Sequence, residues 1–130
     1  MSSLQDMTTW ERALYQGQEL ALAQQRQLES LVSTTTGQPI PGTTPAHTVG
    51  YGLGVQQATP PSIGPVWDYE GETYGCRVVH LYFPRSGIII ALAASSDLGN
   101  SGLGYVNGDL ATLAVSVYQA LQEAGAAQGR

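Results

Sequence analysis

The fold is decided by residues 66–94, which read VWDYEGETYGCRVVHLYFPRSGIIIALAA. This segment divides into three strand-like runs, at 66–74, 76–83 and 87–94, that are rich in β-branched and aromatic side chains. The last two runs are joined by Pro84-Arg85-Ser86-Gly87, in which proline presets the φ angle of a tight turn. The short connection predicts that these two strands form an antiparallel hairpin.

A further strand is predicted at 51–56, where the glycines of YGLGVQ indicate that other atoms approach closely. The strand at 87–94 is apolar on both faces, so both sides of the sheet must be covered. A helix predicted at 109–125, capped by Asp109 and ended by Gly125, supplies one cover. Its apolar stripe consists of Leu110, Leu113, Val117 and Leu121.

The first 32 residues are predicted to form two helices on the other side of the sheet. The first helix is opened by a capping box and ends at Gly17, and the second covers 21–32. The candidate capping boxes are Ser2 with Gln5 and Ser3 with Asp6. The residues expected to face inward are Met7, Trp10, Leu14, Leu28, Leu31 and Val32.

We therefore interpret the chain as a single, partial domain of the α/β (α+β) class. It comprises a helical segment at 1–32, a linker rich in Thr, Pro and Gly at 33–48, an antiparallel sheet of three to four strands within 49–97, and the C-terminal helix at 109–125.

Composition limits the partners that the chain can have. It has 130 residues, five arginines, no lysine and a formal net charge of -5. This charge repels phosphate backbones and anionic lipid surfaces. The apolar run at 88–94 is too short for a membrane span, which takes about 20 residues. We expect no nucleic-acid partner and no membrane insertion, and the first residues show no signal-peptide pattern.

Common catalytic signatures such as Gly-x-Ser-x-Gly, Ser-x-x-Lys and the Walker loop are missing. Cys76 and His80 share a strand face, but four residues separate them by roughly 13 Å, too far for a nucleophile and its base. A buried structural cysteine and a hydrogen-bonded sheet histidine are favoured instead, with His47 in a solvated loop. No spacing of His and Cys indicates a metal site, and no cofactor is expected.

Three carboxylates alternate along one predicted strand and therefore share a face. They are Asp68, Glu70 and Glu72, with neighbours about 6.6 Å apart. Such a row can support acid–base or metal chemistry. The alternative that we favour is a solvated face of an edge strand, where charges prevent unwanted strand pairing.

Three segments in the same order resemble the C-terminal half of the serine β-lactamase, DD-carboxypeptidase and related esterase family. SLQDMTTWERAL at 3–14 is similar to the segment that follows the family's catalytic helical domain. VGYGLGV at 49–55 resembles the strand that enters the active-site sheet. YEGETYG at 69–75, continued by 79–97, resembles the third active-site motif and its hairpin.

In that family the third motif is Lys or His, a variable residue and then Gly, beside the nucleophilic serine. The resemblance puts Tyr69 at the basic position and Gly71 at the glycine that leaves room for substrate. Glu72 then offers the backbone N–H that completes the oxyanion hole. Tyr69 brings no positive charge, and Glu70 and Glu72 disfavour a substrate carboxylate, so an ester or a neutral amide suits this field better.

The family's Ser-x-x-Lys nucleophile and Tyr-x-Asn general base precede all three segments. The resemblance therefore implies the C-terminal portion of a hydrolase of β-lactams, D-alanyl peptides or esters, which is not catalytic by itself. A parent of this family would be periplasmic or secreted. The alternative is a free-standing, non-enzymatic binding or oligomerisation module. Either way, the few apolar residues of the N-terminal helices leave part of the second sheet face open. We expect this face or an unpaired edge strand to meet the missing N-terminal part of the parent or a second copy of the chain.

Overall fold

The computed structural model describes residues 2–61, 63–73, 75–95 and 106–128, and within these ranges the chain folds as a seven-stranded antiparallel sheet with three helices. The helices are α1 (Leu4–Tyr15), α2 (Leu22–Leu28) and α3 (Val106–Gln128). The strands are β1 (Leu31–Ser33), β2 (Pro39–Ile40), β3 (Val49–Tyr51), β4 (Gln56–Ala58), β5 (Val66–Thr73), β6 (Cys76–Phe83) and β7 (Ile88–Ala94). Their order in the sheet is β2-β1-β3-β4-β5-β6-β7. The predicted α+β class is confirmed.

The prediction of three to four strands is too low. The predicted helix at 21–32 ends at Leu28, and β1 follows directly, while β2 lies inside the predicted linker at 33–48. The predicted strand at 51–56 is instead the turn between β3 and β4 with its flanking residues. The strands that the prediction missed are two or three residues long. Such short segments show no alternation of apolar and polar side chains.

Helix α1 has the ends that its sequence predicts. Ser3 is the N-cap: its hydroxyl accepts the backbone N–H of Asp6, and the Asp6 carboxylate accepts the backbone N–H of Ser3. After Tyr15 and the C-cap Gln16, Gly17 takes a φ of 68°, the left-handed conformation that stops a helix. The capping box at Ser3 is the one of the two candidates that forms.

Helices α1 and α3 cover opposite faces of the β5–β6–β7 hairpins. On one face, Tyr15 of α1 stacks on Trp67 and Tyr82, with ring centroids 5.9 and 5.0 Å apart. Trp67 and Tyr82 are partners across β5 and β6. On the other face, Tyr118 of α3 stacks on Phe83 at 3.8 Å. Successive strand residues point to opposite faces, so Tyr82 and Phe83 contact different helices.

The buried face of α3 differs from the predicted one. The helix spans Val106–Gln128, so Asp109 and Gly125 lie inside it and not at its caps. Ala114 and Tyr118 face the core, because the small alanine allows close approach and the tyrosine stacks on the sheet. The predicted stripe residues Leu113, Val117 and Leu121 are 51%, 38% and 49% exposed. In the described ranges, no helix is long and apolar enough to cross a membrane.

Candidate functional site

The candidate site lies along one edge of β5. Strand β4 pairs with β5 only at 66–68, whereas β6 pairs with it from Trp67 to Thr73. Within the described ranges, no strand pairs with 69–73 on the side of β4. Backbone groups of 69–73 that point to this side are therefore available to hydrogen-bond an extended ligand.

A cavity of about 130 Å³ opens where β4 parts from β5, and we call it the β5 notch. Its lining combines two carboxyl groups, two phenol rings and one amide, from Tyr51, Gln56, Asp68, Tyr69 and Glu70. Tyr51, Gln56 and Asp68 lie side by side across three strands, because they are register partners. The notch thus adjoins the open edge that carries the third-motif residues.

The turn between β3 and β4 positions one wall of the notch. A Cβ on Gly52 would lie 2.3 Å from the carbonyl oxygen of Leu28 at the end of α2. The backbone N–H of Leu53 donates to this same carbonyl at 3.0 Å. Gly54 has a φ of 78°, which glycine adopts without strain. The predicted close approach is confirmed at Gly52 but not at Gly54, where an added Cβ would meet no described atom within 4 Å.

Asp68 is the most buried side chain of the notch. It is 8% exposed, and its Oδ1 has no hydrogen-bond partner among the described residues. Burial raises the pKa of this carboxyl to about 6, against the opposing effects of a hydrogen bond with Gln56 and of nearby His80. The favoured interpretation of a solvated edge-strand face is wrong for Asp68, because β4 and β6 flank β5 at this position.

We expect the stability of the protein to fall as the pH rises through the pKa of Asp68. Because the folded-state pKa of about 6 exceeds the ordinary value of 3.8, the folded state binds the proton more tightly. This stabilisation is complete below pH 3.8 and is lost as the pH passes 6. Asp68→Asn should remove this contribution, which changes the free energy of unfolding by up to about 3 kcal/mol between low and neutral pH.

Thermal unfolding at pH 4 to 7 measures this effect. The matched control is Glu70→Gln: Glu70 is more exposed, and burial raises the pKa of its carboxyl while Arg77 opposes the increase. The control variant should retain most of the pH dependence of Tm. Equal slopes of Tm against pH in Asp68→Asn and the unaltered chain would contradict the prediction.

The third-motif residues predicted from the sequence lie together on the open edge. Tyr69 is 43% exposed and lines the β5 notch. A Cβ on Gly71 would meet no described atom closer than Cε1 of Tyr69 at 3.7 Å, so there is space beside this glycine. For Glu72 the structure describes the backbone, which is paired with Arg77. Its role as an oxyanion-hole donor stays a prediction.

A buried acid–imidazole pair lies behind Tyr69, and the sequence analysis did not predict it. Glu11 of α1 is 1% exposed, and its carboxylate contacts Nδ1 of His80. The His80 ring stacks on Tyr69 at 5.5 Å. The predicted inward residue Trp10 is 54% exposed. The one available signal was the spacing of Glu11 and Tyr15, which puts both on one helix face.

The remaining candidate residues do not join the site. The regular strand β6 holds Cys76, which is half-buried, four residues away from His80. His47 is exposed in a loop, as predicted. In the part of the chain that the structure describes, no three residues of the types His, Cys, Asp or Glu are grouped to hold a metal ion.

No protein-family model matches this chain, and no curated protein sequence matches it significantly. Among solved structures, the chain is similar to a D-stereospecific amidohydrolase from a Streptomyces species, with a TM-score of 0.60 and 26% sequence identity. The match covers 74% of this chain but 26% of the amidohydrolase. That enzyme is a member of the penicillin-binding and β-lactamase-like superfamily. At this coarse level, the chain is related to the penicillin-binding and β-lactamase-like hydrolases.

Proposed function

We propose that the chain is the C-terminal portion of a β-lactamase-like serine hydrolase and forms the substrate-binding edge of its active site. The observation that carries this proposal is the open edge of β5 at 69–73, with free space beside Gly71. An extended acyl substrate can hydrogen-bond to such an edge as an added strand. A backbone N–H on the same edge can then stabilise the oxyanion that forms during acyl transfer.

Each third-motif residue has a role in this proposal. The Tyr69 hydroxyl hydrogen-bonds the nucleophilic serine, Gly71 leaves room for the acyl group, and the N–H of Glu72 donates to the oxyanion. The chain has no lysine, so the Ser-x-x-Lys pair comes from polypeptide outside this sequence. The similar structure is, by its name, an amidohydrolase with D-stereospecificity. We accordingly propose an amide or ester of a D-configured residue as substrate.

The chain alone should form no acyl-enzyme, because it has no lysine and therefore no Ser-x-x-Lys pair to supply an activated serine. Incubation with a fluorescent penicillin or a fluorophosphonate, followed by intact-mass measurement, tests this expectation. A stoichiometric adduct on any serine of the chain would contradict it. When the polypeptide encoded upstream of Met1 is expressed together with the chain, the adduct should appear on a serine of that polypeptide.

Gly71→Val in this completed protein should abolish turnover, because the side chain fills the space left for the acyl group. The matched control is Gly42→Val, since a Cβ on Gly42 would meet only Oε1 of Gln57, at 4.0 Å, and no described atom of β5 within that distance. Unimpaired turnover in Gly71→Val would reject the placement of the third motif.

A non-enzymatic association module is the second candidate function. The observation that favours it is the exposed apolar stripe on α3, formed by Leu113, Val117 and Leu121. Exposed apolar patches above roughly 600 Å² are rare on monomers. We expect the chain to form a dimer or higher oligomer at micromolar concentration, as measured by light scattering. Val117→Ser should shift the equilibrium to monomer, whereas a monomeric unaltered chain would reject this candidate.

A further inference from the structure

The β5 notch is negatively charged and holds no cationic side chain in its lining. Asp68 is more than nine-tenths buried, and its Oδ1 lacks a hydrogen-bond partner among the described residues. A buried carboxylate oxygen without a partner is costly, unless a ligand supplies the missing donor. Glu70 adds a second carboxyl group to the same cavity.

Two aromatic rings complete this surface. Tyr51 and Tyr69 line the notch and are 41% and 43% exposed, so their rings are accessible to a ligand. The face of a tyrosine ring attracts a cation at short range. The net charge of -5 also favours the approach of cations. A site with carboxylates beside accessible phenol rings is suited to bind an organic cation.

The geometry favours an ammonium group over a metal ion. In the described ranges, no cluster of three or more His, Cys, Asp or Glu residues is present to coordinate a metal. The cavity of about 130 Å³ is well above the roughly 10–15 Å³ that suffices for one water molecule, so a larger ligand group has room. An ammonium group carries three N–H donors, which match the oxygens of Asp68, Glu70 and Gln56.

We propose that the β5 notch is a subsite for a primary alkylammonium group on the substrate. This inference rests on the proposed function, because it places the group beside the edge that binds the acyl chain. Asp68 lies three residues before Gly71 on β5, a separation of roughly 10 Å along a strand. The substrate class is therefore an amide or ester whose free amine is separated from the scissile carbonyl by several bonds, as at the end of an extended side chain.

Protonation of Asp68 should control the affinity. The groups that affect the charge of Asp68 are Gln56 on β4, Glu70 on the same strand and His80 on β6, and Asp68 in turn raises the pKa of Tyr15 on α1. The pKa of the Asp68 carboxyl is about 6. Since the ionised form binds the cation, the affinity for an amine should rise about tenfold between pH 5 and pH 7.

Titration of the ¹⁵N-labelled chain with n-butylamine, followed by NMR, tests the subsite directly. We expect saturable shifts at the amides of Tyr69, Glu70 and Gly71, with none from butan-1-ol or butyrate at the same concentration. Asp68→Asn should weaken the binding at least tenfold, and Glu70→Gln several-fold. The control Glu123→Gln, at an exposed position on α3, should bind as the unaltered chain does.

Three outcomes would overturn the proposal: equal shifts with butan-1-ol, unchanged affinity in both folded acid variants, or tighter binding of Mg²⁺ or Ca²⁺ at the same amides. If Asp68→Asn does not fold, the exposed Glu70→Gln variant and the pH dependence decide the question.

The completed enzyme distinguishes this proposal from the proposed function. D-Lysine amide should be hydrolysed at least tenfold more efficiently than its Nε-acetyl derivative, because the side-chain amine can extend from the scissile carbonyl to Asp68. Equal hydrolysis of both compounds would support the proposed hydrolase function and contradict the ammonium subsite. Amine binding to the chain, without any acylation of the completed protein, would support the ammonium subsite and contradict the proposed hydrolase function.

Discussion

Replacing Glu11 by alanine should lower the free energy of unfolding by about 3 kcal/mol, because it leaves Nδ1 of the largely buried His80 ring without its contact. Glu11 is 1% exposed, and its carboxylate contacts the His80 imidazole. The truncation also leaves a void between α1 and β6, which adds a packing cost. A typical domain has about 5 to 15 kcal/mol of stability in total, so this loss is large.

Urea denaturation of Glu11→Ala measures the loss, and three further variants identify its origin. Arg12→Ala, one residue along on the exposed side of α1, should cost less than about 0.5 kcal/mol. Combining Glu11→Ala with His80→Ala should cost less than the sum of the single changes, since the two side chains are in contact. Additive costs would show that the pair is not coupled, and a loss below about 1 kcal/mol for Glu11→Ala would contradict the burial argument.

The second large effect is expected at Gly52, where even a methyl group cannot fit. A Cβ there would lie 2.3 Å from the Leu28 carbonyl oxygen, a backbone atom that cannot rotate aside. The same oxygen accepts the N–H of Leu53, so moving it breaks a hydrogen bond worth about 1 kcal/mol. With the usual cost of overpacking, we expect Gly52→Ala to destabilise the protein by about 3 kcal/mol.

Gly71→Ala is the matched control for Gly52→Ala, because it adds the same atom to a glycine where the nearest described neighbour is 3.7 Å away. It should change the stability by less than about 1 kcal/mol. Thermal and urea unfolding of the two variants give the comparison. Similar losses at both positions would mean that the β3–β4 turn moves away from α2 without cost.

The parts of the fold that the sequence predicts are those set by local rules. Pro84 and Gly87 specify the turn between β6 and β7, and Ser3 with Asp6 specifies the start of α1. A close approach at Gly52 was also expected, because a glycine within a predicted strand marks a place where other atoms come near, but the sequence did not indicate that the neighbour is the Leu28 carbonyl. Each of these features depends on a few neighbouring residues.

The features that the sequence did not predict depend on distant residues. Strands β1 and β2 exist because β3 pairs with β1, and neither strand is long enough to show a pattern. Helix α3 turns Tyr118 inward because Phe83 is there to receive it, which no helical periodicity can indicate. For the candidate site, the motif resemblance proposed Tyr69 and Gly71, and their roles stay predictions. The burial of Asp68 was not, since it follows from the pairing of β4 with β5.

Strand β5 is flanked on both sides at its beginning and on one side afterwards, within the described ranges. Its amide protons should therefore differ in their protection against exchange with solvent. The amide protons of 66–68 should exchange only when the sheet itself opens. Those of 69–73 that point outward should exchange through local fluctuations, which cost less free energy. An extended ligand bound to this edge would protect the amides of 69–73 as well, so the difference in protection would disappear. The rigid first half of the strand would help to hold that ligand in place. The first residues of β5 are thus held firmly in the sheet, whereas its remaining residues can adjust to a ligand.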